Sequence, residues 1–345
     1  MTRPSTLHLR FPLGQTLALA LALVVVIAGM AEGAARLLLD GSDRPTAIGS
    51  ENPTLDVKIG MLDRLDAEGG VDCIFLGSSV VLNGLDPAAF AVAFRTQTGT
   101  DITCYNFGVP ALTAQSAGLL AELLVERYEP RLLVYGFTLR AVGERSAQAA
   151  EVYDSIADTP WVAYQRGEAN AQGWLVEHST LLRHYLAYRN WPHDDYTTWR
   201  AQFTDAPPDG YEPFLVTRPF DPATIETPSY FRAYALSPAE LDGLETILAL
   251  SDGTQVLLVE MPLPLFVLEM FDGGAAGYDA LLSGEIGDLA AAYDVPLWTT
   301  SALDLIPAVG WAEDAHHVNH RGAQLLSRWL AEQVAQAITT GELAL

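Results

Sequence analysis

The stretch Cys73-Ile-Phe-Leu-Gly-Ser-Ser-Val-Val-Leu-Asn-Gly-Leu-Asp-Pro87 decides the fold that we predict for this chain. Its apolar run at residues 74–76 stops at Gly77-Ser78-Ser79, which is typical of a buried parallel strand that ends in a tight turn. Asp86 then predicts a helix N-cap, with Pro87 at the first helical position. In open α/β sheets, ligands bind in the crevice beyond the carboxyl ends of the strands. The stretch therefore predicts a hydroxyl side chain presented at such a crevice.

Strand-like and helix-like segments alternate on both sides of this stretch. We predict strands over residues 71–76, 101–107, 131–135, 255–260 and 295–298. Between them we predict helices over 86–98, 113–128, 237–251 and 278–293, and a last helix that ends near residue 338. Such short strand-to-helix spacing indicates a parallel sheet with right-handed crossovers. The expected fold class is α/β, a flavodoxin-like three-layer α/β/α domain with a mostly helical insertion.

The alternation divides the chain into four predicted parts. Residues 70–142 and 236–340 form the α/β domain, and residues 143–235 form an insertion packed over the strand ends. The insertion has no clean strand pattern and holds four tryptophans, Trp161, Trp174, Trp191 and Trp199. Residues 40–69 are predicted to be a tether followed by a short amphipathic helix, because residues 40–55 are rich in Gly, Ser, Asp, Pro and Asn. Residues 1–39 are predicted to be a cytoplasmic N-terminus and a membrane anchor.

The anchor is predicted from residues 11–31, a run of 21 uncharged and mostly apolar residues. Such a run is long enough to cross a bilayer as a helix. Arg3 and Arg10 precede it and acidic residues follow it, which places the N-terminus in the cytoplasm and the rest outside. A cleaved signal peptide is the alternative, but Ala31-Glu-Gly33 is a poor cleavage site. We expect a single-pass protein of the cell membrane whose α/β domain is extracytoplasmic.

The net charge of the chain limits its expected partners, and the positions of its two cysteines argue against a disulfide. The chain has 19 basic and 43 acidic residues, for a net charge of -24, and its one lysine is Lys58. Such a surface repels nucleic acid and anionic lipid headgroups, so we expect neither as a partner. Cys73 and Cys104 lie on neighbouring predicted strands, where a disulfide is geometrically unfavourable, so two buried thiols are expected.

A second motif lies near the end of the chain, in Asp314-Ala-His-His-Val-Asn-His-Arg-Gly322. An Asp three residues before a His, leading into an amphipathic helix, can supply a base and its orienting carboxylate together. Gly77-Ser78-Ser79 early and Asp314-x-x-His317 late resemble the SGNH/GDSL hydrolase family, over roughly residues 70–338 with an insertion. This family contains lipases, esterases and carbohydrate O-acyl enzymes.

The resemblance assigns roles to three residues. Ser79 takes the place of the nucleophile, while Ser78 stands where the family has Asp. His317 takes the place of the general base and Asp314 that of its orienting partner. Two alternatives remain for these residues: the serines could merely turn the chain after a strand, or Asp314 and the nearby histidines could bind a metal.

The resemblance also implies an oxyanion hole, in which the family uses the nucleophile's N–H, a Gly after strand two and an Asn after strand three. Gly108 matches the Gly, whereas Thr138 stands in place of the Asn. Acyl transfer needs such donors at the developing negative oxygen. No metal or cofactor is required.

The expected function is that of an extracytoplasmic serine esterase that acts on O-acyl esters through an acyl-Ser79 intermediate. The expected substrate is an acylated glycan or a lipid ester of the cell envelope. Two alternatives stay open: an O-acyltransferase for envelope glycans that works with a membrane acyl-donor partner, and a catalytically silent glycan-binding protein.

Overall fold

A five-stranded parallel sheet forms the centre of the protein. The structure, a computed structural model, describes residues 12–39, 41, 44–144, 146–190, 208–215, 221–228, 231 and 234–345. Its strands are β1 (Cys73–Gly77), β2 (Cys104–Gly108), β3 (Leu132–Phe137), β4 (Gln255–Glu260) and β5 (Leu297–Thr299). They are ordered β2-β1-β3-β4-β5, which is the strand order of flavodoxin-like folds. The predicted fold class is thus confirmed.

Helices connect the strands and cover both faces of the sheet. They are α1 (Leu13–Leu39), α2 (Pro53–Gly69), α3 (Ser79–Gly84), α4 (Pro87–Thr98), α5 (Ala114–Tyr128), α6 (Ala147–Ala157), α7 (Pro160–Gln165), α8 (Ala171–His178), α9 (Thr180–Asn190), α10 (Pro238–Ala249), α11 (Leu265–Leu268), α12 (Gly274–Leu281), α13 (Gly287–Ala292) and α14 (His320–Thr340). The segment Leu282–Ile286 joins α12 to α13 through a kink at Gly284, so the helix predicted at 278–293 consists of two helices that meet at this kink.

Two hydrophobic clusters, one on each face of the sheet, make the domain three-layered. Alternate residues along a strand point to opposite faces. Thus Ile74 of β1 belongs to the cluster beneath α2, α5 and α10, whereas its neighbour Phe75 belongs to the cluster beneath α4 and α14. In the second cluster the Phe75 ring meets Phe90 of α4 edge to face, with centroids 5.2 Å apart. The predicted N-cap Asp86 starts α4 by accepting the Ala89 N–H at 3.0 Å.

Residues 44–52 differ from the predicted tether. Ala47 and Ile48 are buried, and the Ala47 N–H donates to the Arg183 C=O at 3.1 Å. The buried Asp56 carboxylate accepts from the N–H of Ile48 and from the Ser50 hydroxyl, each at 3.0 Å. Because these residues make core contacts, the segment is part of the folded body despite its loop-like composition.

Glu240 also differs from its predicted role. The sequence Ser237-Pro-Ala-Glu240 predicts a capping box, but Ser237 caps α10 without a side-chain hydrogen bond. Glu240 is fully buried and accepts the Gln115 N–H of α5 at 2.7 Å. Its carboxylate therefore joins two helices of one layer.

The described part of the predicted insertion is helical from residue 147 to residue 190. Trp161 of α7 is fully buried and donates its indole N–H to Glu177 of α8 at 2.7 Å, whereas Trp174 is 48% exposed. Trp191 and Trp199 lie outside the described residues. The domain boundaries themselves stay predictions.

Helix α1 is long and apolar enough to cross a membrane, judged by its length and composition. It begins at Leu13, while Arg3, Arg10 and Phe11 lie outside the described residues. Its apolar side chains between Leu13 and Met30 are exposed, as expected for a helix that meets lipid.

Candidate active site

The connection between β1 and α3 presents Ser79. Strand β1 ends at Gly77, Ser78 takes the N-cap position and Ser79 is the first residue of α3. The sequence predicts a turn here and the next helix only from Asp86. The additional helix matters because it directs the Ser79 N–H out of its first turn, where the helix itself offers no acceptor.

Three glycines in register let α3 lie directly across the strand ends. Gly77 of β1 pairs with Gly108 of β2 on one side and with Gly136 of β3 on the other. A Cβ at Gly136 would lie 2.5 Å from Val81 Cγ2, and one at Gly108 would lie 2.4 Å from the Leu82 backbone nitrogen. Any larger residue there would push α3, and Ser79 with it, away from the sheet.

Ser79, His317 and Asp314 are brought together into one hydrogen-bonded chain. The Ser79 Oγ lies 2.8 Å from His317 Nε2, and His317 Nδ1 lies 2.6 Å from Asp314 Oδ2. A carboxylate only accepts, so the imidazole carries its proton on Nδ1 and turns a lone pair on Nε2 toward the Ser79 hydroxyl. This is the geometry of a nucleophile, a base and an orienting carboxylate.

Asp314 is held as a carboxylate. Its Oδ1 accepts the backbone N–H groups of His316 and His317, each at 3.0 Å. Partial burial alone would raise the pKa of Asp314. The hydrogen bond and charge of His317, together with those two N–H groups, instead hold the pKa well below its usual range. The imidazole therefore faces a fixed negative charge at neutral pH.

Asn319 fixes the loop that carries Asp314 and His317. It is fully buried and caps α14 by accepting the N–H of Arg321 at 2.9 Å. Its amide donates to the C=O groups of Val309 and Trp311 at 2.9 and 3.0 Å. One side chain thus joins the start of α14 to the preceding loop.

His316 lies next to the hydrogen-bonded series of Ser79, His317 and Asp314, and it lines the adjacent cleft. Burial, together with the charges of His317 and Arg140, lowers the pKa of His316 to about 4, so it is neutral at physiological pH. Within the described part of the chain, no group of three or more His, Cys, Asp or Glu side chains could hold a metal ion.

Residues 208–215, which we term the strap, run over α3 and the start of α14. The Asn83 side-chain amide donates to the Glu212 C=O at 2.8 Å, and the His320 N–H donates to the Phe214 C=O at 3.0 Å. The Phe214 ring stacks on the His317 imidazole, with centroids 6.1 Å apart and planes 7° apart. The strap therefore covers one face of the candidate base, a contact that the sequence analysis missed.

Lys58 of α2 holds the strap in place through hydrogen bonds. The side chain is 2% exposed, and its ammonium donates to the C=O of Asn106 at 2.9 Å and to the C=O of Gly210 in the strap. Burial lowers the pKa of Lys58 to about 8, although the charges of Glu212 and Asp209 oppose this. Helix α2 is thereby tied to both β2 and the strap.

Gly108, predicted as an oxyanion donor, has its N–H engaged within the protein. That N–H donates to the Asn106 side-chain oxygen at 2.9 Å. Asn106 is itself fully buried, and its amide donates to the C=O groups of Val81 and Leu85 at 2.8 and 2.6 Å. Gly108 thus serves close packing under α3, and its predicted donor role has no support in this geometry.

Ala111 offers a donor that the sequence analysis missed. It has a φ of +61°, in the left-handed region that residues with a Cβ seldom adopt. It lines the cleft together with Ser79 and Thr138, and no hydrogen bond from its N–H to another described residue is formed. A glycine at this position would have pointed to the conformation, but an alanine gives no such signal.

The cleft beside Ser79 has a volume of about 350 Å³. Polar and charged side chains of the domain line it, including Thr138 and Arg140, and residues of the predicted insertion close it, namely Glu144, Ser146, Ala149 and Pro228. A cleft of this size holds the acyl part of a small ester but not a whole glycan chain.

Comparisons with known proteins add little. No protein-family model and no curated protein matches the sequence. Among solved structures, the chain is similar to a lipase/acylhydrolase from Enterococcus faecalis, with 14% identity and a TM-score of 0.36 over 77% of this chain and 96% of that one. It is also similar to a gut microbial diltiazem-metabolizing enzyme, with 12% identity and a TM-score of 0.27 over 78% of this chain and 47% of that one. These similarities are too weak to assign a function, which must come from the site itself.

Proposed function

We propose that the protein is a serine esterase that cleaves O-acyl esters through an acyl-Ser79 intermediate. The observation that carries the proposal is the continuous chain from Ser79 Oγ through His317 to Asp314, with contacts of 2.8 and 2.6 Å. An alcohol is a weak nucleophile unless a positioned base removes its proton. The intact contact between Ser79 and His317 also argues against a catalytically silent protein.

In the first half of the reaction, Ser79 Oγ attacks the ester carbonyl carbon as its proton passes to His317 Nε2. The carbonyl π electrons move onto oxygen, giving a tetrahedral oxyanion. When the oxyanion collapses, the bond to the alkoxy group breaks and His317 returns the proton to the departing alcohol. Asp314 stabilises the imidazolium that exists between these two transfers.

In the second half, water takes the place of the alcohol. His317 removes a proton from the water as its oxygen attacks the acyl carbon, and the proton then returns to Ser79 Oγ when the carboxylic acid leaves. An O-acyltransferase shares the acyl-Ser79 step and differs only in using an acceptor hydroxyl instead of water. A membrane partner that delivers the acyl group belongs to that alternative.

The N–H groups of Ser79 and Ala111 and the hydroxyl of Thr138 form the proposed oxyanion hole. All three residues line the cleft next to the nucleophile. Preorganised donors of this kind act on the charge that develops in the transition state, and each contributes roughly 10²–10³ in rate.

The proposed location is the outer side of the cytoplasmic membrane, with α1 spanning it once and the N-terminus in the cytoplasm. Its support is the length and apolar composition of α1 together with the arginines that precede it in the sequence. An outward-facing, membrane-held site favours an acylated envelope glycan or a lipid ester as the substrate.

A fluorophosphonate probe on the full-length protein in detergent tests the nucleophile. We expect one adduct, mapped to Ser79 by mass spectrometry, which is lost in Ser79→Ala and His317→Ala. The matched controls Ser78→Ala and His316→Ala should retain it. A folded protein that takes no label, or takes it equally well without His317, would refute the proposal.

A further inference from the structure

Helices α8 and α9 present an exposed apolar surface close to the end of α1. Its residues are 41–56% exposed and comprise Trp174, Leu175, Leu181, Tyr185 and Tyr188. We term this surface the α8–α9 face. Leu181, Tyr185 and Tyr188 stand four and then three residues apart and so form one stripe along α9. The buried Leu186 and Ala187 pack into the core from another side of α9, so core packing does not explain the stripe.

The last turns of α1 are bonded directly to this region. The Glu32 carboxylate accepts from the Ser179 hydroxyl at 2.7 Å and from the N–H groups of Thr180 and Leu181 at 2.9 and 3.2 Å. It thereby caps α9, where a negative charge also complements the helix dipole. One turn further on, Arg36 donates to the His178 C=O at 2.7 Å. The join between α1 and α9 is thus specific at both helices.

Glu32 also fixes the level of this join relative to a membrane. It is the first charged residue after the uncharged run 11–31, so it lies where α1 would leave the hydrocarbon core. In a membrane that α1 spans, the beginning of α9 would therefore lie at the level of the lipid headgroups. The Trp174 ring stacks on His178, with centroids 4.8 Å apart, which makes the α8–α9 face continuous with the contact that Arg36 makes.

The composition of the α8–α9 face suits that level. Trp and Tyr concentrate at membrane–water interfaces, where an amphipathic ring is partly in lipid and partly in water. Helix α9 carries Arg183, His184 and Arg189 and no acidic residue, in a chain whose net charge is -24. The overall charge repels anionic headgroups, and Arg183 is already paired with Asp63 at 2.7 Å. Helix α9 nevertheless adds no negative charge of its own, and its exposed basic residue is Arg189 in the last turn.

We propose that the α8–α9 face rests in the headgroup region of the bilayer that α1 spans. Helices α1, α8 and α9 then form one rigid attachment to the membrane, which we term the mount. The domain is held by this attachment and not by a flexible tether. We take lipid as the occupant of this surface, because the helix that carries the stripe is bonded to α1 at Glu32, directly after the exposed apolar side chains of α1. The inference rests on the proposed span of α1 but not on the proposed esterase chemistry.

Environment-sensitive labelling of the full-length protein in lipid vesicles tests the mount. Tyr185→Cys, or Tyr188→Cys as a second variant, would carry an NBD fluorophore in vesicles of phosphatidylcholine and phosphatidylglycerol. The matched control is Val92→Cys on α4, an apolar position that is 69% exposed. Wild-type protein gives the labelling blank, since Cys73 and Cys104 are buried free thiols.

We expect a blue-shifted emission at residue 185 and at least threefold stronger quenching by spin-labelled lipid than at residue 92. Equal, water-like signals at both positions, in a protein that resists alkaline carbonate extraction, would overturn the mount while leaving the span intact. Extraction by carbonate would overturn the span and the mount together. A shift seen in native membranes but not in pure lipid would overturn lipid as the occupant and point to a protein partner.

Discussion

Replacing Asp314 with Asn is expected to lower kcat about 10⁴-fold, equivalent to about 5 kcal/mol of transition-state stabilisation. The size of this expected loss in kcat follows from the hydrogen bonds that the Asp314 carboxylate accepts. Its Oδ1 accepts two backbone N–H groups, while its Oδ2 accepts from His317 Nδ1 at 2.6 Å. An Asn would leave its carbonyl oxygen on the two N–H groups, because the opposite orientation sets its NH₂ against them. The NH₂ then faces His317 Nδ1 as a donor.

The neutral imidazole then carries its proton on Nε2 instead of Nδ1, so Nε2 can no longer accept the proton of Ser79. The geometry of the site changes little, so KM and the thermal midpoint should stay near wild-type values. The Asp314 side chain is 46% exposed, which also limits the loss in stability. Because the folded pKa lies below the ordinary value of 3.8, the stabilisation by the carboxylate is present above that pH and lost below it. The stability difference between wild type and variant should therefore narrow below about pH 4.

The assay is the initial rate of 4-nitrophenyl acetate hydrolysis by the full-length protein in detergent. Glu313→Gln is the matched control, because it removes the neighbouring exposed carboxylate and should leave kcat within twofold of wild type. A loss of less than tenfold in Asp314→Asn would refute the idea that Asp314 selects the tautomer of His317.

Substitutions at three further residues test the oxyanion hole, the strap and the buried lysine. Thr138→Val, which keeps the shape and removes the hydroxyl, should lower kcat about 10²-fold, whereas Thr138→Asn should preserve it; equal rates in all three proteins would remove Thr138 from the oxyanion hole. Phe214→Leu removes the ring stacked on His317 and should lower kcat by about threefold to tenfold with KM unchanged, because a base held less firmly spends less time in line with Ser79; an unchanged kcat would show that the strap does not position the base. Burial lowers the pKa of Lys58 from 10.5 to about 8, so the unfolded chain binds more protons between these values and unfolding free energy should rise across that window, by up to about 3 kcal/mol. Denaturant titrations of Lys58→Met should lack this rise, and a rise of equal size in that variant would contradict the assignment.

Strands β1 to β4 could be predicted from sequence because they are buried on both faces and appear as largely apolar runs, whereas the edge strand β5 is only half-buried. Residues 255–260 match β4, while the prediction for β1 began two residues early, at Val71. Helix α3 was missed because six residues show too little periodicity, and Ser78 and Ser79 look like a turn. The composition of residues 44–52 predicts a tether, because it does not reveal the hydrogen bonds that Asp56 accepts from Ile48 and Ser50.

In the candidate site, Ser79, His317 and Asp314 could be predicted because each follows a recognisable local pattern. The sequence does not reveal that Asn106 occupies the Gly108 N–H, or that Ala111 adopts a positive φ, since both depend on how two loops meet α3. The strap contact of Phe214 joins residues 103 positions apart. No local pattern encodes contacts of that range.

The burial of Lys58 makes it a reporter of motion at the site. It carries the single ε-amino group of the chain, and the Gly210 C=O of the strap helps to cover it. An amine-reactive reagent can reach this nitrogen only when the strap lifts or α2 detaches, so its rate of acylation measures how often that opening occurs. Mass spectrometry can follow the modification without any engineered label, because no other lysine competes for the reagent. A ligand that seats the strap more firmly on His317 would slow this chemistry, which gives a screen for substrates before the reaction itself is known.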